Sequence, residues 1–234
     1  MYPQYRGATR NVHALSCHAS ALAPGQCPHP PHVHPEEELL IMLAGEASLQ
    51  LPHDPAGERR LTAGQFVYYP AYFPHTLKAT GASPANYLMF KWRGRRRPGR
   101  DRLGFQHVAR VVPSLGGQPR PFKTELLFER PTGFLGALHA HVSAMAPGGG
   151  YAPHIDDHDA LILLVEGQVE TLDQRVAAPA VINYTSGELH GMSNPGPEPA
   201  RYLVIELHGR VPLVRKLRDV RRWKRRLRAL RRAR

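Results

Sequence analysis

Residues Pro31 to Gly45 read PHVHPEEELLIMLAG. His32 and His34 stand two apart, and on an extended strand residues at that spacing share a face. Glu38 follows the short Pro35-Glu36-Glu37 step and opens an apolar run, Leu39 to Leu43, that gives way to Gly45. A run of that length closed by glycine reads as a buried strand entering a turn. Two imidazoles and one carboxylate can therefore converge from two consecutive strands. That donor set suits Fe, Mn, Ni, Co, Cu or Zn. Glu36 and Glu37 are general-base candidates by proximity alone, with solvation in a loop the simpler expectation.

Further along, Gly64-Gln65-Phe66-Val67-Tyr68-Tyr69-Pro70 leads to Phe73-Pro74-His75. A half-apolar strand ends there in a proline-bounded turn, with a histidine just beyond it. The spacing H-x-H-x3-E-x6-G followed by G-x5-P-x4-H resembles the two motifs of the cupin superfamily. The resemblance implies a small jelly-roll β-barrel whose interior holds one metal on His32, His34, Glu38 and His75. Two departures stand out. Gly25 lies one residue further upstream than the family's glycine, and Tyr72 and Ala79 occupy places where glycine and asparagine are usual. Tyr68, Tyr69, Tyr72 and Phe73 flank the second motif, so an aromatic wall to a substrate pocket is expected from them; ordinary strand packing is the competing expectation.

An internal repeat extends the same reading. His18-Ala-Ser-Ala-Leu-Ala-Pro-Gly25 matches His141-Val-Ser-Ala-Met-Ala-Pro-Gly148, an offset of 123 residues. Glu38 to Gly45 matches Ala160 to Gly167 at 122, and Ala85 to Phe90 matches Ala200 to Ile205 at 115. The chain is therefore expected to be all-β, with two tandem cupin barrels packed face to face. Residues 1–92 form the first, 93–133 a basic linker and crossover, 134–209 the second, and 210–234 a tail. In the second copy Asp156 stands at the second histidine position and Ala160 at the glutamate position. His154, Asp156 and His190, with His158 as a further donor, make a candidate two-imidazole, one-carboxylate site. The competing expectation is a decayed site that only packs.

The 234 residues include two cysteines, Cys17 and Cys27, too few for a disulfide framework. Cys27 lies near the first metal motif and reads as a small core residue, with an oxidation-sensitive neighbour of that motif as the alternative. No signal-like apolar segment opens the sequence, so a cytoplasmic location is expected. The net charge of +12 comes from 31 Lys+Arg against 19 Asp+Glu. Thirteen of those basic residues and one acid, Asp219, lie in residues 210–234, which leaves 18 of each sign before them. Leu213, Leu217, Val220, Trp223, Leu227 and Leu230 recur at helical steps, so the tail reads as a basic amphipathic helix. Arg221, Arg222, Trp223, Arg225 and Arg226 are its candidate contacts to an anionic membrane, on the inner face if the protein is cytoplasmic. Docking on its own barrel or in a homodimer is the other expectation. Nucleic acid ranks below both, because no base-reading motif accompanies the charge. The linker Arg93 to Arg102 reads as a solvated connector or a clamp for an anionic substrate.

The function expected from the resemblance is that of a metal-dependent enzyme on a small oxygenated molecule: a sugar, an organic acid or a phenol. Its cofactor is one divalent transition metal, Fe or Mn ahead of Ni, Co, Cu or Zn. Dioxygenase chemistry is placed ahead of isomerase, lyase or decarboxylase chemistry. The competing class is a cupin that binds or senses a small ligand without turnover.

Overall fold

The computed structural model describes residues 1–55, 57–99, 101–109 and 122–209. The expected amphipathic helix over 210–234 lies outside them. No described helix is long and apolar enough to cross a membrane.

The described chain is all strand and turn. The first half contains β1 (Tyr2–Gly7), β2 (Ala14–Leu22), β3 (Glu37–Ala44), β4 (Glu46–Gln50), β5 (Glu58–Thr62), β6 (Phe66–Tyr69), β7 (Thr76–Ala79), β8 (Ala85–Arg93) and β9 (Gln106–Val108). The second contains β10 (Phe122–Arg130), β11 (Ala137–Met145), β12 (Gly150–Ile155), β13 (Asp159–Glu166), β14 (Gln168–Thr171), β15 (Gln174–Ala177), β16 (Ala180–Tyr184), β17 (Leu189–Ser193) and β18 (Ala200–His208). A six-stranded sheet, β1-β2-β8-β3-β6-β9, faces the three-stranded β5-β4-β7; a five-stranded sheet, β10-β11-β18-β13-β16, faces the four-stranded β12-β17-β14-β15. The segment 125–130 is strand: β10 pairs antiparallel with β11 along its length.

Three hydrophobic cores account for this arrangement. One lies inside each two-sheet barrel, and a third lies between the two large sheets. Strand alternation sorts the side chains among them. In β3, Leu39 and Ile41 join the core between the sheets, while Leu40 and Met42 fill the first barrel. In β18, Leu203, Ile205 and Leu207 face the partner sheet, while Tyr202 and Val204 face inward. Burial on both faces is why these strands read as continuous apolar runs. Each fully buried side chain of leucine size contributes roughly 2 kcal/mol. Gly45 and Gly167 close the equivalent turns at φ of 76° and 78°, and a Cβ on either would lie 2.3 or 2.5 Å from a backbone carbonyl oxygen.

The two halves are also tied by a reciprocal pair of buried carboxylates. Glu37 does not sit in a solvated loop as expected; it is fully buried and turned away from Glu38, into the core between the sheets. Its carboxylate accepts from Trp92 Nε1 at 2.8 Å, Thr132 Oγ1 at 2.7 Å and Gly133 N at 2.7 Å. Asp159, equally buried, accepts from Thr9 Oγ1 at 2.6 Å and Ser186 N at 2.9 Å. Thr9 and Thr132 stand at the repeat offset, and each also accepts backbone N–H groups two and three residues on. Each half thus plugs a threonine turn onto the other half's carboxylate. The linker joins this interface: Arg97 N donates to Gly133 O at 2.9 Å and its guanidinium to Gly209 O at 2.6 Å.

Cys17, not Cys27, is the core cysteine; Cys27 is exposed, with its thiol donating to His29 O. Burial pushes the Cys17 thiol up to about 12. In the folded protein a thiol reagent should therefore titrate one cysteine, Cys27, and reach Cys17 only in denaturant; two reactive thiols in the native state would contradict the placement. Replacing Glu37 by alanine should destabilise the chain by about 3 kcal/mol in urea unfolding, because three buried donors lose their acceptor at once.

Candidate metal centre

The first site is assembled from both motifs by backbone pairing. His32 and His75 exchange N–H···O bonds of 3.2 Å in an isolated antiparallel bridge, and Tyr72 N donates to His34 O at 2.8 Å. Glu38 enters from β3. The three imidazole rings form a nearly equilateral triangle, with centroids 5.2 to 5.3 Å apart. One ligand atom from each lies within 4.8 Å of the others. Glu38 Oε2 is 3.0 Å from His34 Nε2, and Oε1 is 3.6 Å from His75 Nε2.

The hydrogen bonds fix which nitrogens face inward. His75 Nδ1 lies 2.7 Å from Phe73 O and His34 Nδ1 3.2 Å from Glu36 O; a carbonyl only accepts, so both Nδ1 atoms carry protons. In neutral imidazoles the Nε2 atoms then present lone pairs to the Glu38 carboxylate. A shared cation, or a proton on the imidazole, fits between such a nitrogen and the carboxylate. His32 Nδ1 and Glu38 Oε1 are buried without a hydrogen-bond partner. Burial alone would raise the Glu38 carboxyl, but its close contacts with His34 and His75 and the charge of Lys91 outweigh it and hold it well below the usual range. The arrangement fits a divalent ion by the chemistry of its donors, with carbonyl-held imidazoles as such sites use.

A cavity of about 380 Å³ opens over these residues, with His18, Ser20, Leu77, Tyr87, Met89 and Lys91 in its wall. The expected aromatic wall is corrected. Tyr68 faces the core between the sheets, stacked on Trp92 at 6.1 Å. Tyr69 backs His75, with ring centroids 3.9 Å apart. Phe73 stacks on Phe105, and Tyr72 is half exposed. None of the four lines the cavity. Lys91 and His18, which do, sit at alternate positions of β8 and β2; that phase was legible, but their proximity to Glu38 needed the sheet order.

The second barrel repeats the geometry with different residues. His154, Asp156 and His190 lie within ligand distance of one another. His154 Nδ1 and His190 Nδ1 are held by the carbonyls of Ala152 and Glu188 at 3.1 and 3.0 Å, which leaves both Nε2 atoms toward Asp156 Oδ2 at 3.1 and 3.6 Å. His158 Nε2 stands 3.5 Å from the same oxygen. Tyr184 backs His190 as Tyr69 backs His75. Ala160 is small and buried at the place of Glu38. Its neighbour across the strand pair is Glu206, where Glu38 has Lys91.

Fold and site together define a two-barrel β-protein with imidazole–carboxylate centres in its barrel interiors. Residues 20–91 match the family model described as a cupin domain. A mutant oxalate decarboxylase from Bacillus subtilis superposes with a TM-score of 0.57 at 16% identity, over 83% of this chain and 69% of that one. A putative glyoxylate-induced protein from Pseudomonas aeruginosa superposes at 0.67 and 16% identity, over 84% and 75%. At such identities the likeness shows the fold. No curated protein sequence matches.

The family's missing glycine has a visible cost. Tyr72 adopts φ of 62°, and its counterpart Gly187 adopts 90°; both donate their N–H across the site, to His34 O and Asp156 O at 2.8 Å. A side chain in that left-handed region is strained by about 1 kcal/mol. Tyr72→Gly should therefore raise stability by about that amount, read as an increased melting temperature; a clear loss would show that the exposed ring contributes contacts of its own.

Proposed function

We propose that the first barrel is a metal-dependent enzyme site for a small oxygenated acid. The observation that carries the reading is the convergence of three imidazoles and the buried Glu38 carboxylate at the floor of a cavity. His32, His34, His75 and Glu38 would hold one divalent transition ion, and the mixed imidazole and carboxylate set favours iron or manganese over nickel, cobalt, copper or zinc. Such an ion supplies Lewis-acid or redox chemistry at the positions its protein ligands leave open.

The chain's own side chains account for binding. Lys91 Nζ lies 3.1 Å from Glu38 Oε2 and forms part of the cavity wall. Its ammonium places positive charge where an anionic substrate would approach. Ser20 and Tyr87 offer hydroxyl groups, and Leu77 and Met89 an apolar wall that limits water. A cavity of about 380 Å³ suits a small molecule. The names of the structural neighbours, oxalate decarboxylase and a glyoxylate-induced protein, support acids over sugars or phenols. Oxidative or decarboxylative cleavage is the reaction type proposed, with dioxygen as one candidate co-substrate.

The test begins with metal analysis of protein purified without added metal. Oxygen uptake and carbon dioxide release are then measured against oxalate, glyoxylate and related 2-oxo and 2-hydroxy acids. His34→Ala should lose the ion and turnover while keeping the fold by circular dichroism. Lys91→Met should keep the ion and raise KM for acids about tenfold or more. Redox-inert zinc, tight acid binding and no turnover would instead make the chain a small-ligand-binding module.

A further inference from the structure

The second barrel holds a group of histidines and carboxylates outside both cupin motifs. His139 and His141 occur on β11 and Glu206 and His208 on β18, all on the barrel-interior phase of their strands. The opposite phase, with Leu138, Ala140, Val142, Ile205 and Leu207, packs against the first barrel. His139 Nε2 is 3.0 Å from His141 Nδ1, and that nitrogen is 3.8 Å from Glu206 Oε1. One ligand atom from each of the three lies within 4.8 Å of the others.

Each of these groups is held from behind. Glu129 Oε2 accepts from His139 Nδ1 at 2.9 Å, which turns the Nε2 lone pair inward. His208 Nε2 donates to Glu206 Oε2 at 2.7 Å, which leaves Oε1 facing His141. Outer partners that orient the inner donors are how protein metal sites are built. The side chains of His139, His141 and Glu206 are 20%, 13% and 17% exposed, so they are largely shielded yet reachable. A cavity of about 260 Å³ is lined by His141, His158 and Glu206 together with Asp156 and His190. It offers an ion a route in.

The first barrel cannot make this site. The repeat offset places Ser16 opposite His139, His18 opposite His141 and Lys91 opposite Glu206. One donor of three remains there, and a cation replaces the carboxylate. The second barrel differs in the opposite sense: Ala160 removes the motif carboxylate, and Glu206, its cross-strand neighbour, supplies one on the adjacent strand.

We propose that His139, His141 and Glu206 form a second metal site, distinct from the motif position in either barrel, for a divalent transition ion such as Zn²⁺ or Co²⁺. Two imidazoles and one carboxylate leave coordination positions open toward the cavity. Without an ion, the hydrogen bond between His139 and His141 holds the two rings together; on binding, the His141 proton moves from Nδ1 to Nε2, which leaves Nδ1 free to coordinate. His158 Nε2, 3.7 Å from Glu206 Oε2 and 3.5 Å from Asp156 Oδ2, stands between this group and His154, Asp156 and His190.

The experiment uses the full chain, stripped with chelator, loaded with Zn²⁺ or Co²⁺, desalted and counted by elemental analysis. His141→Ala and Glu206→Gln should each lower the count by one ion per chain, in the native background and again in His34→Ala. A His154→Ala, His190→Ala double variant should keep that ion. Because a barrel variant can misfold, anomalous scattering from crystals of the Co²⁺-loaded native chain gives an independent answer, expected as a peak between His139 Nε2, His141 Nδ1 and Glu206 Oε1. An unchanged count in folded His141→Ala and Glu206→Gln, or no peak at that point, overturns the proposal. Loss of the first-barrel ion alone would count against the proposed function and leave this site standing.

Discussion

The structure depends on two strands, β3 and β13, that are buried on both faces. A strand's side chains alternate strictly, so every second residue must serve one interior and the residues between must serve another. In β3 this rule separates two neighbouring glutamates. Glu37 enters the core between the large sheets and binds the other half of the chain, while Glu38 enters the first barrel beside three histidines. A slip of one residue would exchange them, leaving the interface without its acceptor and the histidines without their carboxylate. The close packing of Leu39 and Ile41 on one face and Leu40 and Met42 on the other resists that slip.

The same economy holds at the histidines. Carbonyls of Phe73 and Glu36 accept hydrogen bonds from the Nδ1–H groups of His75 and His34, and carbonyls of Ala152 and Glu188 do so for His154 and His190. Backbone geometry therefore sets the tautomers before any ion arrives. Preorganisation of this kind lowers the cost of binding, since ring orientation and proton position need little change.

The two barrels keep one frame and distribute charge differently within it. The first pairs Glu38 with Lys91 across β3 and β8; the second pairs Ala160 with Glu206 across β13 and β18. A lysine beside the first centre favours anions near it. A carboxylate in the same place, surrounded by His141, His158 and His208, favours cations. Burial alone would raise Glu206, yet the hydrogen bond from His208 and the charges of His158 and His139 hold it at about 2. Loss of the motif glutamate at 160 thus does not empty the second barrel of negative charge.

The sequence alone determined the all-β class, the repeat and the grouping of His32, His34 and His75, because each rests on spacing along the chain: imidazoles two positions apart, glycines at turns, and offsets of 122 and 123 between copies. It misplaced Glu37, Cys27 and the aromatic residues of the second motif. Composition says whether a side chain tolerates burial, but not which of two interiors its strand phase selects. Only the tertiary structure brought Lys91 to Glu38 and Glu206 to Ala160, residues joined by sheet order and cross-strand register across 53 and 46 positions of sequence. His139, His141 and Glu206 show the same limit: an alternating pair on one strand reads as ordinary until the neighbouring strand supplies the carboxylate that faces it.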